Sequence, residues 1–380
     1  MPRLVAIDLP ASELFVEAVR RTWERGDTVL PVDPRLPLSA KQMMYQRLGV
    51  EDVVSSTVAS PTSISDTSTV QLPAFGEDVV PLKDGDALMI ATSGSTGEPK
   101  GVVHTHDSLR ASARIVGARL HLSKDDHWWL CIPAAHIGGF GLIARSLHFG
   151  SRISYAETID QSTIDAALEN GATRTSVVPT LMVRYRFDRW MTVLVGGASS
   201  GNLPHNALST YGMTETAGGI AYNGEMLSDV QVKVEQGEIL LRTPTLARTY
   251  RTADLPQCDG WFATGDLGRL TEGRLIVEGR RDDIIITGGV KVWPGVIEAR
   301  LREHPLIDDV AVTGLPDAEW GMIVVAYVVC STSNPPSLAQ LRNHVKETLS
   351  SAHAPQRIVL LQQIPRTTLG KVRRNELPRP

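Results

Sequence analysis

Residues 87–101 constrain the chain more than any other stretch. Ala87-Leu88-Met89-Ile90-Ala91 reads as a short apolar strand that runs directly into Thr92-Ser93-Gly94-Ser95-Thr96-Gly97-Glu98-Pro99-Lys100-Gly101. Glycines, clustered hydroxyls and one lysine after a strand let backbone N–H groups, hydroxyl donors and a cation converge on a polyphosphate. A Walker A loop is excluded. There the lysine directly follows the last glycine and precedes Ser or Thr, whereas here Glu98-Pro99 intervene and Gly101 follows.

Beyond this loop, strand and helix patterns alternate. A helical pattern covers residues 105–117. Trp128-Trp129-Leu130-Cys131-Ile132-Pro133, Ser176-Val177-Val178-Pro179 and Thr192-Val193-Leu194-Val195-Gly196-Gly197 read as buried strands ending in turns. The alternation predicts an α/β layered fold with its ligands at strand ends. Upstream, residues 12–25 place Leu14, Phe15, Ala18, Val19 and Trp23 on one helical face that Gly26 closes. Residues 30–37 are proline-rich and read as a rigid connection, and residues 55–86 as a surface excursion with short edge strands. Downstream, 296–302 and 338–349 read as helices, and 310–312, 322–329 and 360–364 as strands, a compact α+β set. At 380 residues two domains are expected, set at 1–281 and 282–380.

Composition excludes several function classes. With 42% hydrophobic and 21% charged residues the chain is neither disordered nor fibrous. A net charge of -4 and 5% aromatic residues give no basic field and no stacking platform, so no nucleic-acid partner is expected. The longest apolar run, Met322 to Cys330, is far shorter than the ~20 residues of a spanning helix, so no membrane insertion is expected. Three cysteines, Cys131, Cys258 and Cys330, lack metal-knuckle or redox spacing, and Asp8 falls too early for a secretory apolar segment. These features point to a cytoplasmic protein with a small-molecule partner. A homodimer is neither required nor excluded.

Further motifs follow the loop in order: Tyr211-Gly212-Met213-Thr214-Glu215-Thr216, Trp261-Phe262-Ala263-Thr264-Gly265-Asp266-Leu267-Gly268, Gly279-Arg280-Arg281-Asp282-Asp283, and Pro365-Arg366-Thr367-Thr368-Leu369-Gly370-Lys371. Together they resemble the motif series of the adenylate-forming superfamily: acyl-CoA synthetases, luciferases and peptide-synthetase adenylation domains. The resemblance implies a large layered α/β N-terminal domain, a small mobile α+β C-terminal domain, and MgATP with coenzyme A as co-substrates. It implies a carboxylic acid joined to the α-phosphate of ATP with loss of pyrophosphate, then a thiol displacing AMP. Such chemistry is mostly positioning and charge stabilisation.

Residue by residue, the resemblance gives Thr92, Ser93, Gly94, Ser95, Thr96, Gly97 and Lys100 to the phosphates. Thr214 meets the α-phosphate, and Glu215 is a hard-oxygen Mg²⁺ ligand. Tyr211 with Gly212, and Gly196-Gly197-Ala198 opposite, flank adenine. Asp266 accepts from the ribose hydroxyls and Arg280 reaches ribose and phosphate. Asp282 is the hinge, Lys371 the catalytic lysine, and Lys291 a weak candidate for CoA phosphates.

For the acid, Pro133-Ala134-Ala135-His136-Ile137-Gly138-Gly139-Phe140 resembles the motif lining the acyl pocket, with His136 and Gly139 in it. Arg145, inside an apolar stretch, should meet an anion, either a substrate carboxylate or a structural salt bridge. His-Ile-Gly-Gly with a downstream arginine resembles family members that act on an aromatic dicarboxylate, although full-length members are commonly longer ahead of the phosphate loop. Three alternatives remain: another acyl- or aryl-CoA synthetase or a carrier-directed adenylation enzyme, a non-catalytic nucleotide or acyl-adenylate binding module, and a P-loop kinase or ATPase.

Overall fold

The computed structural model describes residues 1–58, 63–73, 79–93, 99–156, 158–196, 203–330, 335–366 and 372–379. The chain divides into two compact units, Met1–Val232 with Leu241–Phe262 and Lys233–Leu240 with Ala263–Pro380. The expected boundary at 281/282 falls inside the second unit. The reason is that strands Trp261–Thr271 and Arg274–Arg280 form an antiparallel hairpin in a small sheet with Glu238–Arg242 and Gln231–Glu235. The sequence reading missed that sheet. Compactness and motion need not divide a chain at one residue, so Asp282 stays a candidate pivot.

The first unit holds two seven-stranded mixed sheets. In one, Leu4–Asp8 lies between Thr28–Pro31 and Asp52–Ser56, all parallel, and Asp86–Ser93 continues the sheet beyond Thr28–Pro31. In the other, the parallel strands Arg174–Val177, Thr192–Gly196 and Ala207–Met213 are followed by antiparallel Gly218–Tyr222. Side-chain alternation builds the layers. Val5, Ile7, Leu88 and Ile90 face a central core, whereas Leu4, Ala6 and Met89 face a second core on the sheet's other side. The central core also takes Phe15 of helix Glu13–Glu24, Val116 of His106–Leu120, Phe140 of Ile137–Phe149, and Trp128 and Leu194 of the second sheet. One helix layer therefore lies between the two sheets. Val193 and Val195 face a further core that includes Ile164 and Trp190.

Local signals place these helices. Ser12 accepts from the Phe15 amide at 3.2 Å and Thr105 from the Ser108 amide at 3.1 Å, so each caps a helix start. Helix Ile137–Phe149 ends at Gly150, whose φ of 67° suits glycine. Leu30 and Pro31, expected in a rigid connection, end an inner strand instead, because Thr28–Pro31 is buried on both faces.

The second unit carries a five-stranded sheet whose central Gly321–Val329 pairs with Asp309–Asp317 and Arg357–Leu360. Val324, Ala326 and Val328 face one core with Leu301 and Leu341, while Val325 and Tyr327 face another with Ile364 and Leu377. A strand covered on both faces reads as an unbroken apolar run. The last strand is Arg357–Leu360, not the expected 360–364; the register pairs Arg357 with Val325 and Leu360 with Val328.

Candidate active site

In the first unit the strand Ala207–Met213 ends in a tight turn, Thr214–Ala217, and returns as Gly218–Tyr222. A register shift between Tyr211 and Gly212 bends the strand just before the turn, a common device beside active sites. Gly212 is required there, since a Cβ would sit 2.0 Å from the Gly218 carbonyl oxygen. Each of three turn carbonyls is held from another element. His104 Nε2 lies 2.7 Å from the Thr214 oxygen, the Ala247 amide donates to Glu215 at 2.7 Å, and Ser112 Oγ donates to Ala217 at 3.0 Å.

His104 is fully buried, and burial pushes its pKa down to about 4 although the Thr214 carbonyl opposes the shift. The ring is therefore neutral at pH 7. Facing a carbonyl, Nε2 carries the proton, which leaves Nδ1 to accept from Ser108 Oγ 3.1 Å away.

Glu215 Oε1 accepts from the Tyr250 hydroxyl at 2.8 Å, and Lys100 Nζ lies 5.1 Å from the centre of the Tyr250 ring. The strand pairing explains the meeting. Asp86–Ser93 and Pro99–Thr105 form an antiparallel hairpin with Thr92 opposite Lys100, and Tyr250 pairs with Val102 on the hairpin's outer edge. The strands that flank the expected phosphate loop are thus antiparallel neighbours. Gly94, Ser95, Thr96 and Gly97, the Ser93 side chain, and Gly197 and Ala198 lie outside the described residues. Gly196 ends the parallel strand beside Tyr211's own, and a Cβ there would stand 3.1 Å from Thr210 Oγ1.

His136 is the N-cap residue of helix Ile137–Phe149, and Gly139 fits beneath the preceding turn only because it lacks a Cβ, which would lie 2.3 Å from the Pro133 oxygen. Asp33, at the end of an inner strand, lies within electrostatic reach of His136. Burial would raise the Asp33 pKa, but bonds from Arg35 at 2.9 and 2.7 Å and the charges of Arg35 and His136 hold it below the usual range. Arg145 meets no carboxylate among the described residues. Its guanidinium is buried 5.3 Å from the Trp128 ring, with Nε unpartnered, and burial lowers its pKa. Of the two anions open to Arg145, a structural carboxylate is therefore not found among the described residues. Gly141 lets the side chain fold back, with Nη1 3.2 Å from where a Gly141 Cβ would stand. The charge thus lies five residues into the helix from His136, about 7–8 Å along its axis.

In the second unit Asp266 and Arg280 are direct cross-strand partners, with Arg280 Nη1 2.9 Å from Asp266 Oδ1 and 3.1 Å from the Thr264 oxygen. Thr264 Oγ1 donates to Ile239 at 2.8 Å and accepts from the Asp266 amide at 3.0 Å, fixing that backbone. Asp282 is exposed in a short 3-10 turn. Lys291 is exposed on a hairpin whose Gly288 and Gly289 have φ of 55° and 79°. Lys371 lies outside the described residues.

Sequence reasoning missed His104, Tyr250 and Asp33. Only His104 left a signal, a polar residue following Val102-Val103 in a strand buried throughout that stretch. No group of three or more His, Cys, Asp or Glu that could hold a metal occurs among the described residues. A single carboxylate, with one oxygen held by a phenol, suits an ion that takes its remaining ligands from phosphate and water.

The family model described as AMP-binding enzyme matches residues 2–251, and the one for the AMP-binding enzyme C-terminal domain matches 296–371. A probable 2-succinylbenzoate–CoA ligase of Mycobacterium tuberculosis (strain ATCC 25618 / H37Rv) is 35% identical over 352 residues, 83% of this chain and 91% of the relative. A 2-succinylbenzoate–CoA ligase of Listeria monocytogenes (strain ATCC BAA-679 / EGD-e) is 32% identical over 327 residues, 77% of this chain and 69% of the relative. Among solved structures, o-succinylbenzoate CoA synthetase (MenE) from Bacillus subtilis with the acyl-adenylate intermediate OSB-AMP shares the fold. Its TM-score is 0.84 at 24% identity, covering 98% of this chain and 87% of that one.

Proposed function

The chain belongs to the AMP-binding enzyme family, and from that premise we propose that it is an AMP-forming 2-succinylbenzoate–CoA ligase serving menaquinone biosynthesis in the cytoplasm. The observation that carries the substrate is the 35% identity extending over 91% of a relative of that name. In the first step a carboxylate oxygen attacks the α-phosphorus of ATP, the bond to the β-phosphate oxygen breaks, and pyrophosphate leaves. In the second, the CoA sulfur attacks the acyl carbon and the bond to AMP breaks.

Lys100 and the loop hydroxyls neutralise the phosphates, and the Thr214 hydroxyl bonds the α-phosphate. Magnesium, when bound, neutralises phosphate charge, and Glu215 would hold it. Tyr211 and Gly212 on one side, Gly196, Gly197 and Ala198 on the other, sandwich adenine. Asp266 takes the ribose hydroxyls, Arg280 steers ribose and phosphate, and Lys371 stabilises charge during adenylation, the kind of donor whose loss costs ~10²–10³ in rate. Asp282 is the pivot between the two steps, and Lys291 meets CoA phosphates. His136 gates the carboxylate, with Gly139 giving close approach. Arg145, a buried cation with no carboxylate partner among the described residues, takes the second carboxylate of the acid.

The test is a panel of 2-succinylbenzoate, benzoate, a medium-chain fatty acid and an amino acid with MgATP and CoA, scored for AMP and thioester. AMP and a CoA thioester with 2-succinylbenzoate alone are expected, and Arg145→Leu should raise the KM for that acid at least tenfold. AMP formation with a different acid removes the substrate assignment. An unchanged KM in a folded Arg145→Leu protein limits the guanidinium to its stacking on Trp128.

A further inference from the structure

We propose that His104 is a positioning residue for the adenylation site, one that holds the Thr214–Glu215 main chain in its productive place through a single imidazole N–H. The proposal rests on the adenylating function above and extends it to a residue outside the motifs.

Four observations carry it. His104 sits in the strand Pro99–Thr105, four residues after Lys100, which is proposed to meet the phosphates. Its ring reaches across 110 residues of sequence to the Thr214 carbonyl at 2.7 Å. The ring is fully buried, so no water can replace that donor if it is removed. Ser108 Oγ donates to the other ring nitrogen at 3.1 Å, and its own amide is tied to Thr105 Oγ1 at 3.1 Å, which fixes the ring plane. The Lys100 strand and the Thr-Glu turn, which must act on one polyphosphate, are thereby referenced to each other by one rigid side chain. The Ala247 amide holds the next carbonyl, that of Glu215, and Tyr250 the Glu215 carboxylate; among these anchors His104 is the side chain that comes from the Lys100 strand itself.

A residue that only filled core volume would be replaced by leucine with a loss of stability and nothing else. A positioning residue has a different signature. Removing a group that orients a ligating residue typically costs 10–100-fold in affinity or activity. His104→Leu should therefore raise the Mg²⁺ concentration for half-maximal ATP–pyrophosphate exchange by that factor and lower kcat, with the KM for the acid unchanged. His104→Gln, whose amide nitrogen has about the reach of Nε2, should recover most of both. Ser108→Ala, which releases only the ring plane, should fall between. Hydrogen exchange supplies a readout independent of turnover: amides of residues 213–217 should exchange faster in His104→Leu and return toward wild type in His104→Gln.

The inference is overturned if folded His104→Leu matches wild type in Mg²⁺ dependence and in exchange at 213–217. It is equally overturned if His104→Gln is no better than His104→Leu. Wild-type exchange activity is the control for the reading on which this rests. If wild type shows none with any acid, the ligase assignment fails, and the amide-exchange comparison still decides whether His104 holds the turn.

Discussion

Tyr250→Phe is the sharpest test of how Glu215, the proposed magnesium ligand, is presented. The substitution deletes one oxygen, the donor 2.8 Å from Glu215 Oε1. The ring itself should stay where it is, packed with Val102, Ala247, Leu255 and Phe262 in a satellite core. A hydrogen bond to a charged group contributes about 1.5–3 kcal/mol. Glu215 is only half-buried, so water recovers part of that, and the loss of global stability should stay near 1 kcal/mol. The functional loss should be larger, because an unrestrained carboxylate must be ordered each time the ion binds. At the 10–100-fold usual for such supporting contacts, apparent Mg²⁺ affinity falls by about 1.4–2.8 kcal/mol. The assay is ATP–pyrophosphate exchange titrated with Mg²⁺ at saturating ATP and acid, with thermal unfolding alongside. A Tyr250→Phe protein with wild-type half-saturation would refute the reasoning, since the hydroxyl would then have no hold on the ligand.

Three further outcomes follow from other contacts. Asp86 has a fully buried carboxylate paired with Arg248 at 2.7 and 2.6 Å, so Asp86→Ala should destabilise by about 3–5 kcal/mol in urea unfolding, because it strands the guanidinium. Gly212→Ala should abolish exchange activity and expose the turn to proteolysis, since its Cβ would meet backbone, which cannot rotate away. For pH, His104 is held at about 4 in the fold against an ordinary value near 6.5. Between these values the unfolded chain binds the extra proton, so this group's effect is absent above about pH 6.5. Stability then falls as pH drops through the window, by roughly 3 kcal/mol below pH 4. Unfolding free energies of His104→Gln measured from pH 7 to 4 should show a correspondingly flatter decline.

The parts of this protein that were legible in the sequence are those that local rules determine. The helix capped by Ser12, the apolar strand ahead of Thr92, and Met322–Val329 all obey periodicities visible within a dozen residues. The Thr-Glu and Gly-Asp motifs could be found because their residue types and order resemble the motif series of the family. What escaped depends on pairing at a distance. The small sheet around Trp261–Thr271 has an inward face of Phe262, Thr264, Asp266 and Gly268, half of it polar, so no apolar alternation announced it. Tyr250 matters only because a two-residue strand brings it beside Val102. The final strand was displaced because local composition does not separate Leu360–Ile364 from its neighbour, whereas pairing with Val325 through Val328 selected Arg357–Leu360. Arg145 could be flagged as a buried cation from its apolar surroundings, but its contact with the Trp128 ring depends on a strand far from it in sequence.

The three carbonyl anchors of the Thr214–Ala217 turn also bear on how the protein is made. Ser112 and His104 precede their partners by 105 and 110 residues. At a synthesis rate of ~5–20 residues per second, His104 leaves the ribosome roughly 5–20 s before the peptide it holds. Ala247, which secures Glu215, comes later still. Contacts of such sequence separation form slowly and near the end of folding. A nascent chain that has not yet reached Ala247 therefore lacks one of the three anchors of the Thr214–Ala217 turn.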